Sequence, residues 1–138
     1  MVAVRKRLPR TVLIVEDDHT IRELLKALFE EEGYRVYAAF DGETAVSLAR
    51  RVKPSLITLD LALPKLDGNG VLSLLAANPE TASIPVIVLS ANPDCLNGKL
   101  SVGAVLSKPF DLDDLTITAQ ALTVHNRRTV RPRQVVAN

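Results

Sequence analysis

The sequence predicts a single α/β domain, a doubly wound five-stranded parallel sheet with helices on both faces. Short runs of Val, Ile and Leu recur along the chain, amphipathic helical patterns separate them, and charged residues directly follow three of the runs. Runs that are apolar at successive positions are typical of strands covered on both faces. Strands that alternate with helices form right-handed βαβ units, and such units build a parallel sheet.

The predicted strands are short apolar runs. They cover residues 12–15, 35–39, 56–59, 86–89 and 104–107. We expect the flavodoxin-like strand order 2-1-3-4-5, in which the first and third strands are neighbours. The carboxyl ends of all strands then lie along one edge of the sheet, so residues that follow different strands meet there.

The first predicted helix has an apolar stripe that should cover the sheet. Its members are Ile21, Leu24, Leu25, Leu28 and Phe29. Thr20 and Glu23 have the spacing of a capping box, and Gly33 stands just past the expected end of the helix.

Three further helical patterns follow along the chain. The second ends before Pro54, because a residue that precedes proline disfavours helical geometry. Its apolar face consists of Ala45, Leu48, Ala49 and Val52. A third pattern covers about residues 69–78, and the last begins at Asp111 and ends near His125. The last pattern should bury Leu115, Ala119 and Leu122.

The helix expected between the fourth and fifth strands has the weakest helical pattern in the sequence. This stretch contains the turn-forming residues Asn92-Pro93, Asn97-Gly98 and Gly103. We therefore predict that this fourth helix is short or irregular. With few apolar anchors, residues 92–103 should be the most mobile part of the domain.

Composition and charge limit the classes of partner. We divide the 138 residues into a basic amino-terminal extension (1–10), one folded domain (11–125) and a basic carboxyl-terminal tail (126–138). The domain holds all 16 acidic residues but nine of the 17 Lys and Arg, which leaves it with a formal charge of −7. An acidic domain flanked by basic segments without aromatic residues argues against direct nucleic-acid binding.

The chain has the features of a cytoplasmic protein. No apolar run approaches the length that a bilayer requires, and residues 1–10 lack the apolar stretch of a signal peptide. Cys95 is the single cysteine, which agrees with a reducing compartment, and we interpret it as an incidental loop thiol. We expect no membrane association.

Polar side chains follow four predicted strands at one sheet edge. Glu16 and Asp17 follow the first, Asp60 follows the third, Ser90 ends the fourth and Lys108 follows the fifth. Carboxylates within a few ångström repel one another by about 4 kcal/mol per pair at an effective dielectric constant near 20, so they require a cation. Oxygen ligands with room for water and phosphate favour Mg²⁺ over Ca²⁺. The lysine ammonium and the serine hydroxyl can hold a phosphoryl group there.

Helix capping is the alternative explanation for some of these acids. Asp17, Asp18 and Asp111 could each cap the helix that follows. Capping does not explain Asp60, because Leu61-Ala62-Leu63-Pro64 follows it instead of a helix. The two histidines, His19 and His125, lack partners at ligand spacing, and we interpret them as surface residues.

Four segments together resemble the receiver domain of two-component response regulators, of the stand-alone type. They are Val15-Glu16-Asp17-Asp18, the run Asp60 to Gly68 (DLALPKLDG), Ser90-Ala91 and Lys108-Pro109-Phe110. The match covers about residues 11–122, in order and at nearly the family spacing.

The resemblance implies a role for each site residue. Asp60 would accept a phosphoryl group from a histidine kinase or a histidine phosphotransfer protein, and Ser90 and Lys108 would bind the phosphoryl oxygens. Glu16, Asp17 and Asp60 would hold Mg²⁺, and the backbone carbonyl of Ala62 would complete the metal shell. The domain would catalyse only its own phosphorylation and slow dephosphorylation. The resemblance also implies a cis peptide bond between Lys108 and Pro109, and signalling by contact with a downstream protein as a monomer or a phosphorylation-dependent dimer.

Two departures from the family pattern concern signal output. Val105 occupies the position of the family's switch aromatic, and the stretch from Ser90 to Lys108 is shorter than usual. Ala62 and Asn92 would flank the path of the water that hydrolyses the phosphorylated aspartate, and Ala62 cannot orient it. We therefore expect a long-lived phosphorylated state.

Two other classes of function stay open. A receiver-like module that binds its partner without phosphorylation would agree with the departures above. A Mg²⁺-dependent phosphatase with an aspartyl nucleophile is less favoured, because it would need a second acid where Ala62 stands. A Rossmann nucleotide-binding module is excluded because no G-x-G-x-x-G motif follows the first strand. With only thirteen residues after His125, we expect either a stand-alone receiver or a receiver from a longer protein.

Overall fold

Alternating strands and helices form one parallel sheet with two helical layers. The computed structural model describes residues 10–98 and 102–130. The strands are β1 (Thr11–Val15), β2 (Arg35–Ala39), β3 (Leu56–Asp60), β4 (Val86–Ser90) and β5 (Ala104–Ser107). The helices are α1 (His19–Glu31), α2 (Gly42–Val52), α3 (Gly68–Ala77) and α4 (Leu112–Val130). The strand order is β2-β1-β3-β4-β5 with every pair parallel, which confirms the predicted fold.

The predicted basic segments lie mostly outside this description. Residues 1–9 of the extension and 131–138 of the tail are outside the described residues, so the proposed division of the chain stays a prediction. The last helix continues to Val130, whereas the sequence pattern predicts an end near His125. No described helix combines the length and the hydropathy needed to cross a membrane.

Two apolar clusters cover the two faces of the sheet. Ala45 and Ala49 of α2 pack with Val71, Leu72 and Leu75 of α3 on one face. Leu25 and Phe29 of α1 pack with Leu115 and Ala119 of α4 on the other. The three central strands are buried on both sides, as their apolar runs predict, while the edge strands β2 and β5 are only partly covered.

Helix α1 is rotated relative to the predicted stripe. Leu25 and Phe29 are fully buried, but Leu24 is 47% exposed, so its predicted burial is wrong. Arg22 is buried instead, at 8% exposure. Arg22 faces the sheet because its guanidinium donates hydrogen bonds to backbone carbonyls at the end of β1, which satisfy the buried polar group.

The ends of α1 are set by different residues from those of the predicted capping box. The helix begins at His19, and the Asp18 carboxylate accepts a hydrogen bond from the Ile21 backbone N–H at 3.0 Å. Thr20 already lies inside the helix, so the predicted Thr20–Glu23 capping box is wrong. Gly33 follows the helix with φ of +93°, a conformation that favours glycine, as its position predicts.

A short 3-10 turn stands where the fourth helix was expected. It covers Pro93–Cys95 and is the one helical element described between β4 and β5. Residues 99–101 of this stretch are outside the described residues. The prediction of a short or irregular element is confirmed for the described part, and its predicted mobility stays a prediction.

One buried hydroxyl conflicts with the apolar core. Thr58 of β3 is 1% exposed, and its Oγ1 is the one buried side-chain polar atom without a hydrogen-bond partner among the described residues. Its neighbours in register on the adjacent strands are Ile14 and Ile87. An unpartnered buried hydroxyl is destabilising relative to an apolar group of similar shape.

We therefore expect Thr58→Val to raise the free energy of unfolding by about 1 kcal/mol, measured by urea denaturation. Thr81→Val is the matched control, because Thr81 is equally buried and its hydroxyl donates to the Leu75 carbonyl at 2.7 Å. That control should lose stability. Equal destabilisation by both substitutions would contradict the argument.

Candidate functional site

Three carboxylates converge at the carboxyl edge of the sheet. Glu16, Asp17 and Asp60 each offer an oxygen, and these oxygens lie within 4.8 Å of one another. Glu16 and Asp60 are buried, whereas Asp17 is exposed. The sequence predicted this cluster from its position after β1 and β3.

Strand pairing brings the acids together. Val15 of β1 is in register with Leu59 of β3, so the next residues, Glu16 and Asp60, emerge side by side. The Glu16 backbone N–H donates to the Ala39 carbonyl at 3.1 Å, which continues the pairing with β2 past the end of β1. The cluster therefore follows directly from the parallel register.

Lys108 reaches the cluster from the end of β5. Its Nζ lies 3.1 Å from Glu16 Oε1 and 3.6 Å from Asp60 Oδ2, and its side chain is 18% exposed. The Lys108 backbone N–H donates to the Ser90 carbonyl at 2.8 Å. The Lys108–Pro109 peptide bond is cis, as the resemblance to receiver domains implies.

Backbone amides orient the two remaining polar groups of the cleft. The Ala62 N–H donates to Asp60 Oδ1 at 3.1 Å, and the Asn92 N–H donates to Ser90 Oγ at 3.0 Å. Because the serine oxygen accepts this bond, its own O–H proton stays available for an acceptor in the cleft. The arrangement suits an incoming group that is rich in oxygen.

These side chains line one open cleft of about 560 Å³. Its polar lining includes Asp17, Asp60, Ser90 and Lys108, and Ala62 stands at its wall. Glu16 is buried beside them, 1% exposed. All six residues predicted from the sequence are thus brought together.

Glu16 is electrostatically strained in this setting. Burial and then the neighbouring Asp60 carboxylate raise its pKa above the ordinary value of 4.5. The hydrogen bond and the charge of Lys108 act in the opposite direction but do not cancel the rise. A cation bound among the carboxylates would relieve this strain.

The loop that carries Ala62 is braced by the start of α2. A Cβ added to Gly42 would lie 2.0 Å from the Leu66 carbonyl oxygen, so only glycine allows this approach. Nearby, Lys65 Nζ lies 3.8 Å from Asp41 Oδ2. The loop between β3 and α3 is therefore held by backbone contact close to Asp60.

Arg22 is a site residue that sequence reasoning missed. Its guanidinium donates to the carbonyl oxygens of Glu16 at 3.1 Å and Asp17 at 3.3 Å, and it lies over the Phe40 ring at 3.8 Å. The exposed His19 ring also contacts it, at 3.1 Å. A sequence signal existed, because Arg22 falls three residues before buried Leu25 on the same helix face.

Asn69 is a second residue that the sequence did not single out. Its Nδ2 donates to the Cys95 carbonyl, and its Oδ1 accepts from the Asn97 N–H, each at 2.8 Å. It lines the same cleft as Asp60. No local sequence pattern predicts hydrogen bonds between residues more than twenty positions apart.

The comparisons with known proteins agree with this geometry. The family model of the response regulator receiver domain matches residues 12–120. The DNA-binding dual master transcriptional regulator RpaA of Synechocystis sp. is 40% identical over 90% of this chain and 52% of its own length. Sporulation initiation phosphotransferase F of Bacillus subtilis is 30% identical over 75% of this chain and 86% of its own. The chain spans about half the length of the first curated relatives it matches.

A solved structure of a receiver domain is similar to this chain in fold. The receiver domain of sensor histidine kinase PA1611 from Pseudomonas aeruginosa, crystallised with a magnesium ion coordinated in its active-site cleft, matches with a TM-score of 0.77. That match has 29% identity and covers 85% of this chain and 99% of the other. The family model matches well over half of the chain, and the fold agrees with it. The chain therefore belongs to the response regulator receiver domain family.

Proposed function

We propose that this chain is a phosphoacceptor of two-component signalling that receives a phosphoryl group on Asp60. The donor is a histidine kinase or a histidine phosphotransfer protein. The observation that carries the proposal is the convergence of Asp60 with two further carboxylates, an ammonium and a serine hydroxyl in one cleft. Similarity to a phosphotransferase of sporulation initiation, which this chain nearly spans, supports phosphotransfer rather than turnover of a small substrate.

The acidic cluster fits Mg²⁺. Its donors are hard carboxylate oxygens without nitrogen or sulfur, and the cleft leaves space for water and phosphate. We propose that Glu16, Asp17 and Asp60 hold the ion and that the Ala62 carbonyl completes its shell. The magnesium ion in the cleft of a similar receiver domain supports this assignment. When bound, Mg²⁺ would neutralise charge on the transferred phosphoryl group.

The chain's own residues would perform the transfer by positioning and electrostatics. An Asp60 carboxylate oxygen attacks phosphorus, and a P–O bond forms while the P–N bond of the donor phosphohistidine breaks. The donor nitrogen leaves with the electron pair of that bond. Lys108 and Ser90 hold the equatorial oxygens, where negative charge is concentrated in the transition state. The same groups support self-phosphorylation from small donors and a slow self-dephosphorylation.

The proposed output is contact with a downstream protein in the cytoplasm, by a monomer or a phosphorylation-dependent dimer. The formal charge of the domain, −7 over residues 11–125, disfavours direct nucleic-acid binding by this segment. A second candidate is binding without phosphorylation. It is favoured by Val105, 38% exposed where the family has a switch aromatic, and by the 3-10 turn that replaces a full helix.

The first prediction is that Asp60 is the sole phosphorylation site. Asp60→Asn should abolish the mass increase produced by Mg²⁺ and a small phosphodonor, because the amide is isosteric but not nucleophilic. Asp18→Asn is the matched control, since Asp18 caps α1 outside the carboxylate cluster and asparagine also caps well. Intact mass spectrometry separates the outcomes, and an adduct that persists in Asp60→Asn would refute the assignment.

A second prediction follows from the raised pKa of Glu16. The folded protein keeps a proton on Glu16 at pH values where the unfolded chain has released it, so stability from this group is present at low pH and declines as pH rises from about 4.5 through the raised folded pKa. Glu16→Gln should therefore be more stable than the wild type in metal-free neutral buffer, and this difference should vanish at acidic pH.

Urea denaturation with a chelator, repeated with saturating Mg²⁺, tests this prediction. The wild type should gain stability from Mg²⁺, whereas Glu16→Gln should gain less because it lacks one ligand charge. Glu23→Gln, on the exposed side of α1, controls for the loss of one carboxylate. A Glu16→Gln protein that is less stable than the wild type without metal would contradict the electrostatic argument.

The third prediction concerns the lifetime of phosphorylated Asp60. Ala62 is exposed at the cleft wall and cannot orient a water, and the Asn92 side chain is exposed on the opposite wall. Losing one orienting group should slow hydrolysis about ten-fold or more. Ala62→Asn should change the decay rate, whereas Ala76→Asn, the same substitution at an exposed position of α3, should not.

Decay of the aspartyl phosphate in Mg²⁺ buffer, followed by intact mass, gives the rates. A wild-type protein that loses its phosphoryl group within seconds would refute the long lifetime. An unchanged rate in Ala62→Asn would show that another group positions the water.

A further inference from the structure

Asn69 ties together the two walls of the cleft. It lies in the first turn of α3, where one wall begins, and both ends of its side-chain amide are used. Its Nδ2 donates to the Cys95 carbonyl at 2.8 Å, and its Oδ1 accepts from the Asn97 N–H at 2.8 Å. Because a donor and an acceptor are both engaged, the two bonds together define how the opposite wall lies against α3.

The opposite wall is the loop of residues 91–97, which leads directly from Ser90. At its near end the Asn92 N–H donates to Ser90 Oγ at 3.0 Å, and at its far end Asn69 holds Cys95 and Asn97. The 3-10 turn connects these two points through the bond from the Cys95 N–H to the Asn92 carbonyl at 3.0 Å. Three hydrogen bonds, joined through the backbone of Cys95 and Asn92, therefore connect Asn69 to the Ser90 hydroxyl oxygen.

Apolar anchoring of this loop is limited among the described residues. Leu96 packs against the apolar cluster of α2 and α3, but it is only partly buried. Among residues 91–98 no α-helix is present to supply packing. Fixing the direction of the Ser90 hydroxyl therefore depends on hydrogen bonds more than on buried surface.

We propose that Asn69 is a positioning residue of the phosphorylation site, which holds the 91–97 loop so that the Ser90 hydroxyl faces the phosphoryl group. This inference rests on the proposed function of Asp60. The described side-chain hydrogen bonds of Asn69 go to Cys95 and Asn97 and not to the carboxylates Glu16 and Asp17, so its effect should fall on phosphoryl binding and transfer and not on the affinity for Mg²⁺.

The test is Asn69→Ala in the full chain, compared with the wild type and with Asn78→Ala. Asn78 is the matched control because it lies at the other end of α3, and its side chain accepts from the Glu80 N–H away from the cleft. Phosphorylation by a small phosphodonor should slow about three- to ten-fold in Asn69→Ala, the loss expected from one to two exposed hydrogen bonds. The dissociation constant for Mg²⁺ alone should stay within about two-fold of the wild type.

Amide hydrogen exchange of the unphosphorylated protein, measured by NMR, supplies a readout that a local structural role would not move. The Asn92 amide, bonded to Ser90 Oγ, should exchange at least about three-fold faster in Asn69→Ala if the Asn69 hydrogen bonds position Ser90. Faster exchange confined to Cys95 and Asn97, with unchanged phosphorylation, would overturn the inference. A uniform loss of exchange protection across the sheet would also overturn it, since it would indicate general destabilisation.

The outcomes also separate this inference from the proposed function. If the wild type takes up no phosphoryl group, both fail. If the wild type and Asn78→Ala are phosphorylated and Asn69→Ala is phosphorylated equally fast, only the inference fails.

Discussion

The pairing of β1 with β3 holds Glu16 and Asp60 side by side although their charges repel. The arrangement of the other site residues follows from this constraint. Burial intensifies the repulsion and raises the pKa of Glu16. Lys108 crosses from β5 to pair with both acids, and the cluster keeps room for a cation and a phosphoryl group. Groups that strain the resting fold are the groups to which we assign phosphoryl transfer, so in this proposal local stability and function oppose each other.

Each wall of the cleft is held by a contact from a different part of the chain. Arg22 donates hydrogen bonds to the two backbone carbonyls that follow β1. Gly42 allows close contact between the start of α2 and the loop after β3. Asn69 ties that side of the cleft to the loop after β4. The proposed transfer by positioning would need such support, because small displacements of the reacting groups lower the rate strongly.

The cleft residues fit the receiver pattern, whereas the segment between β4 and β5 and residue Val105 depart from it. The carboxylates, Ser90 and Lys108 form a complete receiver cleft. Beside it, a 3-10 turn replaces a helix and Val105 stands partly exposed on edge strand β5. Because the first curated relatives are about twice as long as the aligned segment, their whole-protein outputs do not transfer to this chain.

The strands and the six predicted site residues could be predicted from the sequence alone, because apolar runs mark buried strands and charges after them meet at one edge of a parallel sheet. The sequence did not determine which face of α1 is buried: Leu24 and Arg22 both fit helical spacing, and only the carbonyls at the strand edge select Arg22. Likewise the Asn69 bonds exist only once α3 and the loop after β4 are folded against each other. Periodicity encodes which elements form, whereas polar contacts between distant segments are decided by tertiary structure, since their partners share no local pattern.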